Sequence, residues 1–96
     1  MQRDEVLRML RNHRPEMKQF GVASLAIFGS VARDQAGPQS DVDILVEFDD
    51  IATFDRYMGL KIFLEDLLGV PIDLVTPRAL KPGLRPLIEH EAIDVA

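Results

Sequence analysis

The sequence predicts an α/β (α+β) fold in which a small mixed β-sheet is flanked by helices. Apolar residues recur at helical spacing near the start and in the middle of the chain. Short runs rich in Val, Ile and Leu lie between these segments, at positions 24–28, 42–48 and 72–75. Because 96 residues suffice for one hydrophobic core, residues 1–96 are expected to form a single domain.

The first predicted element is a helix over residues 3–20. Pro15 lies inside it and is expected to kink or restart it, because proline lacks a backbone N–H and crowds the preceding turn. Gly21 is a plausible end for this helix, since glycine readily adopts the left-handed conformation of helix C-termini.

A short buried strand is predicted next, at 24–28. Gly29 and Ser30 then turn the chain into a short helix over about 31–35, which a glycine and a proline bring to an end. The first half therefore reads as helix, strand and short helix.

The second half alternates in the same way, starting with a strand at 42–48. Thr53 has the character of an N-cap, and the helix that it opens is expected to reach Leu68 and close at Gly69. The remaining predicted elements are a strand at 72–75, a short turn or helix from Pro77, a helix at about 84–92 and an edge strand at 93–95.

The composition limits the classes of function. Eleven basic and sixteen acidic side chains give a net charge of −5, which opposes a general electrostatic grip on nucleic acid. No apolar stretch is long enough to span a membrane, and the first residues lack the apolar segment of a secretory signal. The absence of cysteine excludes disulfides, thiolate metal sites and a Cys nucleophile. We therefore expect a cytoplasmic protein that contacts neither nucleic acid nor membrane directly.

The most informative feature is the acidic pair Asp41 and Asp43 at the head of the strand predicted at 42–48. Residues i and i+2 of a strand project to one face, about 6.6 Å apart along the chain, so both carboxylates can reach one hard cation. Without a cation, two charges about 7 Å apart repel by about 2.4 kcal/mol at an effective dielectric of about 20. The alternative is a solvated turn before the strand, in which water screens the repulsion.

A further acid, Asp73, lies in the strand predicted at 72–75. If the second and third strands are neighbours, its carboxylate shares one rim with the Asp41 and Asp43 pair. Mg²⁺ suits such a site, because it binds through one or two carboxylates and keeps its other positions for water and phosphate oxygens. Gly29 and Ser30 supply the complementary half, since glycine lets backbone N–H groups approach a phosphate and a helix start favours an anion.

Three segments together resemble the polymerase-beta-like nucleotidyltransferase superfamily, and its minimal nucleotidyltransferase (MNT) branch most closely. The segments are Gly-Ser-Val-Ala-Arg at 29–33, Ser-Asp-Val-Asp at 40–43 and Asp-Leu-Val at 73–75. The signature spans residues 28 to 75, and the order of predicted elements extends the resemblance over nearly all of the chain. The resemblance implies the polymerase-beta-like nucleotidyltransferase fold.

The resemblance also implies the roles of the site residues. Asp41 and Asp43 bind two Mg²⁺ ions, and Asp73 completes the carboxylate triad and helps to activate the attacking hydroxyl. Gly29 and Ser30 hold the triphosphate of ATP. The two metal ions then stabilise the attacking and leaving oxygens of an in-line displacement that releases pyrophosphate.

At three positions near this signature, the pattern leaves the role open or the residue departs from the family. Arg33 either contacts the nucleotide or braces the loop through Asp34 or the acidic strand. Ser40 is expected to orient the Asp41 turn and stands beside the nucleotide site. Family members commonly have glycine where this chain has Asp34, so a left-handed turn there is less comfortable and the added charge could weaken nucleotide binding.

The resemblance further implies a partner, because superfamily enzymes that work alone usually add a domain that holds the acceptor. In the MNT branch the partner is typically a helical HEPN-domain toxin, and the family mechanism transfers AMP from ATP to a toxin tyrosine. The first hypothesis is therefore a Mg²⁺-dependent protein adenylyltransferase that acts as an antitoxin in a hetero-oligomer. The alternatives are an antitoxin that neutralises a helical partner by binding alone, and a small-molecule nucleotidyltransferase.

Other polar and aromatic residues carry weaker signals. His13 and His90 lie on predicted helices without a ligand-spaced companion, and neither is assigned a role. Tyr57 shares a helix face with leucines and is expected in the core. The cluster of Arg78, Lys81 and Arg85 is expected on a solvated surface. The helix after Thr53 has a wide apolar face that includes Phe54, Met58 and Ile62, part of which could meet a partner.

Overall fold

The computed structural model describes residues 2–35, 37 and 41–95. Helices and strands alternate along the chain, as the hydrophobic pattern predicts. The elements are α1 (Arg3–Asn12), α2 (Arg14–Lys18), β1 (Val22–Phe28), α3 (Gly29–Ala32), β2 (Val42–Phe48), α4 (Phe54–Leu68), β3 (Ile72–Val75), a 3₁₀ turn (Pro77–Ala79), α5 (Arg85–Glu91) and β4 (Ile93–Asp94).

The described strands form a mixed sheet in the order β3-β2-β1-β4. β1 is antiparallel to both β2 and β4, whereas β2 and β3 are parallel. A parallel pair needs a crossover connection, and α4 supplies it. The predicted fold class is therefore confirmed, and β4 lies at the edge of the sheet as expected.

The hydrophobic core lies between one face of the sheet and helices α1 and α4. In β2, the side chains of Val42, Ile44 and Val46 are buried, because alternate residues of a strand point to the same face. They share one cluster with fully buried residues of the two helices, among them Val6, Leu10, Leu60 and Leu64. The same alternation directs Asp43 to the opposite face. One face of the sheet is therefore apolar, and the other carries the acids.

The helix ends follow local sequence signals. The first predicted helix breaks at His13, and α2 starts again with Pro15 in its first turn, where a missing N–H costs nothing. Thr53 is the N-cap of α4, its side-chain oxygen accepting a hydrogen bond from the N–H of Arg56 at 3.2 Å. Gly69 closes α4 with φ +71°. The predicted bounds of α4 are confirmed.

Three helices differ from their predicted bounds. The first, predicted to end near Phe20, ends at Lys18. The short helix predicted at 31–35 is α3, which begins at Gly29 and ends at Ala32. The prediction was wrong because the chain turns directly out of β1 at Gly29, whose φ of +73° starts the helix without an intervening loop. The last helix, predicted at 84–92, is one residue shorter at each end.

Helix α3 ends in a left-handed cap at Asp34, whose φ is 58°. The N–H of Asp34 donates to the carbonyl of Val31 at 3.0 Å. The next N–H, that of Gln35, donates to the carbonyl of Ser30 at 2.8 Å. These are the two bonds of a Schellman cap, which usually has glycine at the left-handed position. Asp34 therefore adopts the left-handed conformation that glycine takes with less strain.

No helix in the described part of the chain is long and apolar enough to cross a membrane.

Candidate functional site

Two of the predicted site carboxylates lie side by side on the acidic face of the sheet. In the parallel pair of β2 and β3, Asp43 is the register partner of Asp73. Neighbouring strands lie about 4.8 Å apart, and register partners point to the same face. The predicted adjacency of the second and third strands is confirmed, and it brings together acids that are far apart in the sequence.

The electrostatics of Asp43 report the surrounding negative charge. Its side chain is half-buried, whereas Asp41 and Asp73 are exposed. Burial raises the pKa of Asp43, and the charges of Asp73 and then Asp41 raise it further. The guanidinium of Arg33 opposes them by lowering the pKa. Asp43 therefore interacts electrostatically with both other predicted carboxylates, and its ionised form is destabilised.

The turn at Gly29 presses against the carboxyl group of Asp43. β1 ends beside β2 in the register that pairs Phe28 with Asp43, so the chain leaves β1 next to the acid. A Cβ atom at Gly29 would collide with Asp43 Oδ2 and lie 3.0 Å from Cγ. Gly29 is therefore required twice, for its positive φ and for the absence of a side chain.

Ser30 follows in the first turn of α3 and is half-buried. The first N–H groups of a helix have no carbonyl partner within the helix, so this turn offers donors beside the acids. Ser40, the other predicted nucleotide-binding serine, lies outside the described residues.

Glu91, at the end of α5, is a residue that the sequence reasoning missed. Its Oε1 accepts the N–H of Gly29 at 2.8 Å, and its Oε2 pairs with Nη1 of Arg33 at 2.9 Å. The Gly29 N–H lowers the pKa of Glu91 most, and Arg33 lowers it further, against the effect of burial. Arg33 therefore braces the loop through α5, and neither Asp34 nor the acidic strand is the partner in its described ion pair.

The donor set suits a hard divalent cation. Asp41, Asp43 and Asp73 offer carboxylate oxygens alone, which Mg²⁺ prefers. Within residues 2–35, 37 and 41–95, no group of three or more His, Asp or Glu side chains already has the arrangement of a metal cluster. Mg²⁺ takes only one or two protein carboxylates when phosphate and water supply the rest, so Asp43 with one acidic neighbour fits it.

An open cleft of about 780 Å³ lies at the end of β2, and Asp41, Asp43 and Asp73 are not among the residues that line it. It is lined by Glu47, by the turn Asp49–Ala52 and by Thr76, Pro77, Arg78 and Arg85 among others. Glu47 lies further along β2 than Asp43 and on the same face. Arg78 and Arg85, expected on a solvated surface, therefore border a cleft, and Arg85 is also paired with Glu89.

The remaining candidates take structural positions. His13 Nδ1 bonds the carbonyl of Met9 at 2.8 Å and its ring packs edge-on against Phe63. Tyr57 packs against the core as expected, and its hydroxyl donates to the carbonyl of Leu74. On α4, Phe54 and Ile62 are exposed, at 75% and 53%.

Comparison with known proteins shows which family the chain is similar to. The Nucleotidyltransferase domain family matches residues 10–95. The protein adenylyltransferase MntA of Thermococcus cleftensis is 38% identical over 93 residues, which cover 96% of this chain and 94% of MntA. A solved structure assigned as a minimal nucleotidyltransferase superposes with a TM-score of 0.77 at 39% identity, covering 97% of this chain and 95% of its own.

A further likeness concerns the fold alone. The tri-AMPylated HEPN toxin of Shewanella oneidensis in complex with its MNT antitoxin contains a chain that matches with a TM-score of 0.66 at 18% identity. The match covers 94% of this chain and 71% of that one.

Proposed function

Because this chain belongs to the nucleotidyltransferase family, in its minimal nucleotidyltransferase branch, we propose that it transfers AMP from ATP to a hydroxyl group of a partner toxin and so acts as an antitoxin. The observation that carries the proposal is the position of Asp43. Its carboxyl group lies between Asp73, on the neighbouring strand β3, and the turn at Gly29, where we propose that phosphate binds. The proposed site for a divalent cation therefore adjoins the proposed site for phosphate.

Asp41 and Asp43 would hold Mg²⁺, with Asp73 as a third carboxylate. When bound, the cation would neutralise the charge on the phosphates and on these acids. The raised pKa of Asp43 supports this assignment. Within the described chain, the positive charge of Arg33 does not outweigh the burial and the neighbouring acids that disfavour ionised Asp43. Ser30, in the first turn of α3, is the proposed donor to the triphosphate.

In the proposed reaction the acceptor hydroxyl attacks the α-phosphorus of ATP. A bond forms between the hydroxyl oxygen and phosphorus, and the bond from phosphorus to the oxygen bridging the α- and β-phosphates breaks. Pyrophosphate leaves with that oxygen. Asp73 is exposed beside Asp43 and is the proposed acceptor of the hydroxyl proton.

The proposed partner is a helical HEPN-domain toxin, and the proposed acceptor is a tyrosine hydroxyl. The fold likeness to the antitoxin chain of a toxin complex supports this choice. The exposed side chains of Phe54 and Ile62, one turn on either side of Met58 on α4, offer apolar surface for a helical partner. A protein that consumes ATP in this way is expected to work in the cytoplasm.

The same apolar surface favours one alternative, an antitoxin that neutralises its toxin by binding without catalysis. Intact-mass measurement separates the two. Incubation of the protein with ATP, Mg²⁺ and the toxin should add one or more AMP units to the toxin, and Asp43→Asn should abolish the addition. Asp66→Asn removes an exposed acid of α4 and serves as the matched control, with activity retained.

Neutralisation of the toxin that persists in Asp43→Asn, without any change in toxin mass, would establish the binding function instead. AMP addition by the Asp43→Asn protein would exclude the proposed site.

A further inference from the structure

One carboxylate spans both ends of helix α3. Glu91 comes from the last turn of α5 and accepts the N–H of Gly29, the first residue of α3, at 2.8 Å. Its second oxygen pairs with Arg33, the C-cap of the same helix, at 2.9 Å. The contacts join segments 62 and 58 residues apart in the chain. Glu91 therefore clamps a helix of one turn from a distant element.

This contact differs from an ordinary surface ion pair. The pair of Arg85 and Glu89 lies within one helix, and both side chains are about half exposed (51% and 50%). Glu91 is only 23% exposed, and one of its two partners is a backbone N–H. A hydrogen bond from a charged acceptor to a backbone N–H restrains the orientation of that peptide unit, which a contact between two flexible side chains cannot do.

Gly29 is consequently held from two sides. Its α-carbon faces the carboxyl group of Asp43 on β2, and its N–H faces Glu91 on α5. Because this N–H is already donated within the protein, we assign the contact with phosphate to the next residue of the turn, Ser30. Movement of Gly29 relative to α5 therefore has to break its hydrogen bond to Glu91.

We propose that Glu91 is a positioning residue, which holds the Gly29–Ser30 turn against Asp43 so that Ser30 meets the triphosphate. The inference rests on the proposed function, from which it takes ATP as the bound nucleotide. It assigns Glu91 no contact with the substrate, because both of its oxygens are occupied by Gly29 and Arg33.

The test compares Glu91→Ala and Glu91→Gln with Glu89→Gln, which removes the charge of the neighbouring pair on α5. The first measurement is the hydrogen exchange of the Gly29 amide by NMR. Glu91→Ala should accelerate it by about tenfold or more, the factor expected for losing a hydrogen bond to a charged group. Glu91→Gln keeps an acceptor oxygen and should give an intermediate rate. Glu89→Gln should leave the rate unchanged.

The second measurement is affinity by NMR titration, with ATP and Mg²⁺ in one series and adenosine in the other. Glu91→Ala should weaken ATP by about tenfold and leave adenosine unchanged, because the turn serves the triphosphate alone. Glu91→Gln changes the shape of the side chain little. If Glu91→Ala fails to fold, the exchange rate and the ATP affinity of Glu91→Gln therefore provide the test.

Three results overturn the proposal. Equal exchange rates of the Gly29 amide in all the proteins would show that Glu91 does not restrain this residue. Faster exchange with unchanged ATP affinity makes Glu91 a structural residue only. Tighter ATP binding by Glu91→Gln shows that the carboxylate competes with phosphate. If the unsubstituted protein does not bind ATP with Mg²⁺, the proposed function fails and the positioning role with it, whereas Gly29 exchange still reports on the clamp by itself.

Discussion

Replacement of Gly29 by alanine tests how tightly the turn is packed on the site. Gly29 and Gly69 have nearly equal positive φ values, +73° and +71°, but only Gly29 has an obstacle where a Cβ atom would lie. A left-handed conformation costs a residue with a side chain about 1–2 kcal/mol. The reduced freedom of the unfolded chain returns about 0.4–1 kcal/mol. Gly69→Ala should therefore lower the free energy of unfolding by about 1 kcal/mol.

Gly29→Ala carries the same φ cost and a collision with Oδ2 of Asp43 in addition. The carboxyl group or the turn has to shift, and crowding of this kind costs about 1–3 kcal/mol more. The total loss is then about 2–4 kcal/mol. For a domain of this size each kcal/mol lowers Tm by about 4–8 °C, so Gly29→Ala should melt about 8–32 °C lower and Gly69→Ala only about 4–8 °C lower.

Urea and thermal unfolding of four proteins would measure these terms. Gly83→Ala is the baseline, since Gly83 lacks a positive φ and has open space around its α-carbon. It should be neutral or slightly stabilising. Gly29→Ala in an Asp43→Ala background should lose only the φ cost, because the obstacle is gone. If Gly29→Ala costs no more than Gly69→Ala, the turn does not press on Asp43 and the site is built differently.

Three further predictions concern charge and assembly. Because the folded-state pKa of Asp43 is raised above its ordinary value, the free energy of unfolding should fall as the pH rises through the interval between those two values. Asp43→Asn should remove this decrease and raise Tm at pH 7. The same substitution should weaken Mg²⁺-dependent ATP binding in calorimetry. A lower Tm would contradict the electrostatic argument. Asp34→Gly should change stability by less than about 0.5 kcal/mol, because Asp tolerates the left-handed conformation better than Ala does and the smaller strain relieved is offset by the greater freedom of the unfolded chain. It should also tighten ATP binding by removing a negative charge. Unchanged affinity would mean that Asp34 lies too far from the phosphates to influence binding. Met58→Glu should abolish toxin binding in size-exclusion chromatography with little loss of Tm, whereas a markedly lower Tm of the protein alone would assign Met58 to the core.

The acidic face and the apolar face of this sheet have opposite effects on the stability of the fold. Asp43 gains nothing for folding from its position, because burial and the charges of Asp73 and Asp41 all disfavour its ionised form. The stability comes from the other face, where Ile44 and its neighbours in β2 pack on α1 and α4. Such a division is typical of sites whose charge is intended for a ligand.

Local signals in the sequence determined most of the elements. The Thr53 cap and the Gly69 end of α4 follow from side-chain chemistry within one turn, and both could be predicted. The run rich in Val, Ile and Leu at positions 42–48 placed β2 correctly. The spacing of Asp41 and Asp43 predicts a bound cation, because two like charges on one face repel each other unless a cation neutralises them.

Tertiary structure alone decided which distant groups meet. The register that pairs Asp43 with Asp73 depends on how β3 docks on β2, and no pattern within either strand specifies it. Glu91 lies 62 residues from Gly29 and resembles any other acid of an exposed helix until α5 packs beside β1 and α3. The sequence by itself therefore determined the kinds of groups that the site contains. Their mutual distances came from packing, because contacts between remote segments depend on the whole core and not on any local period.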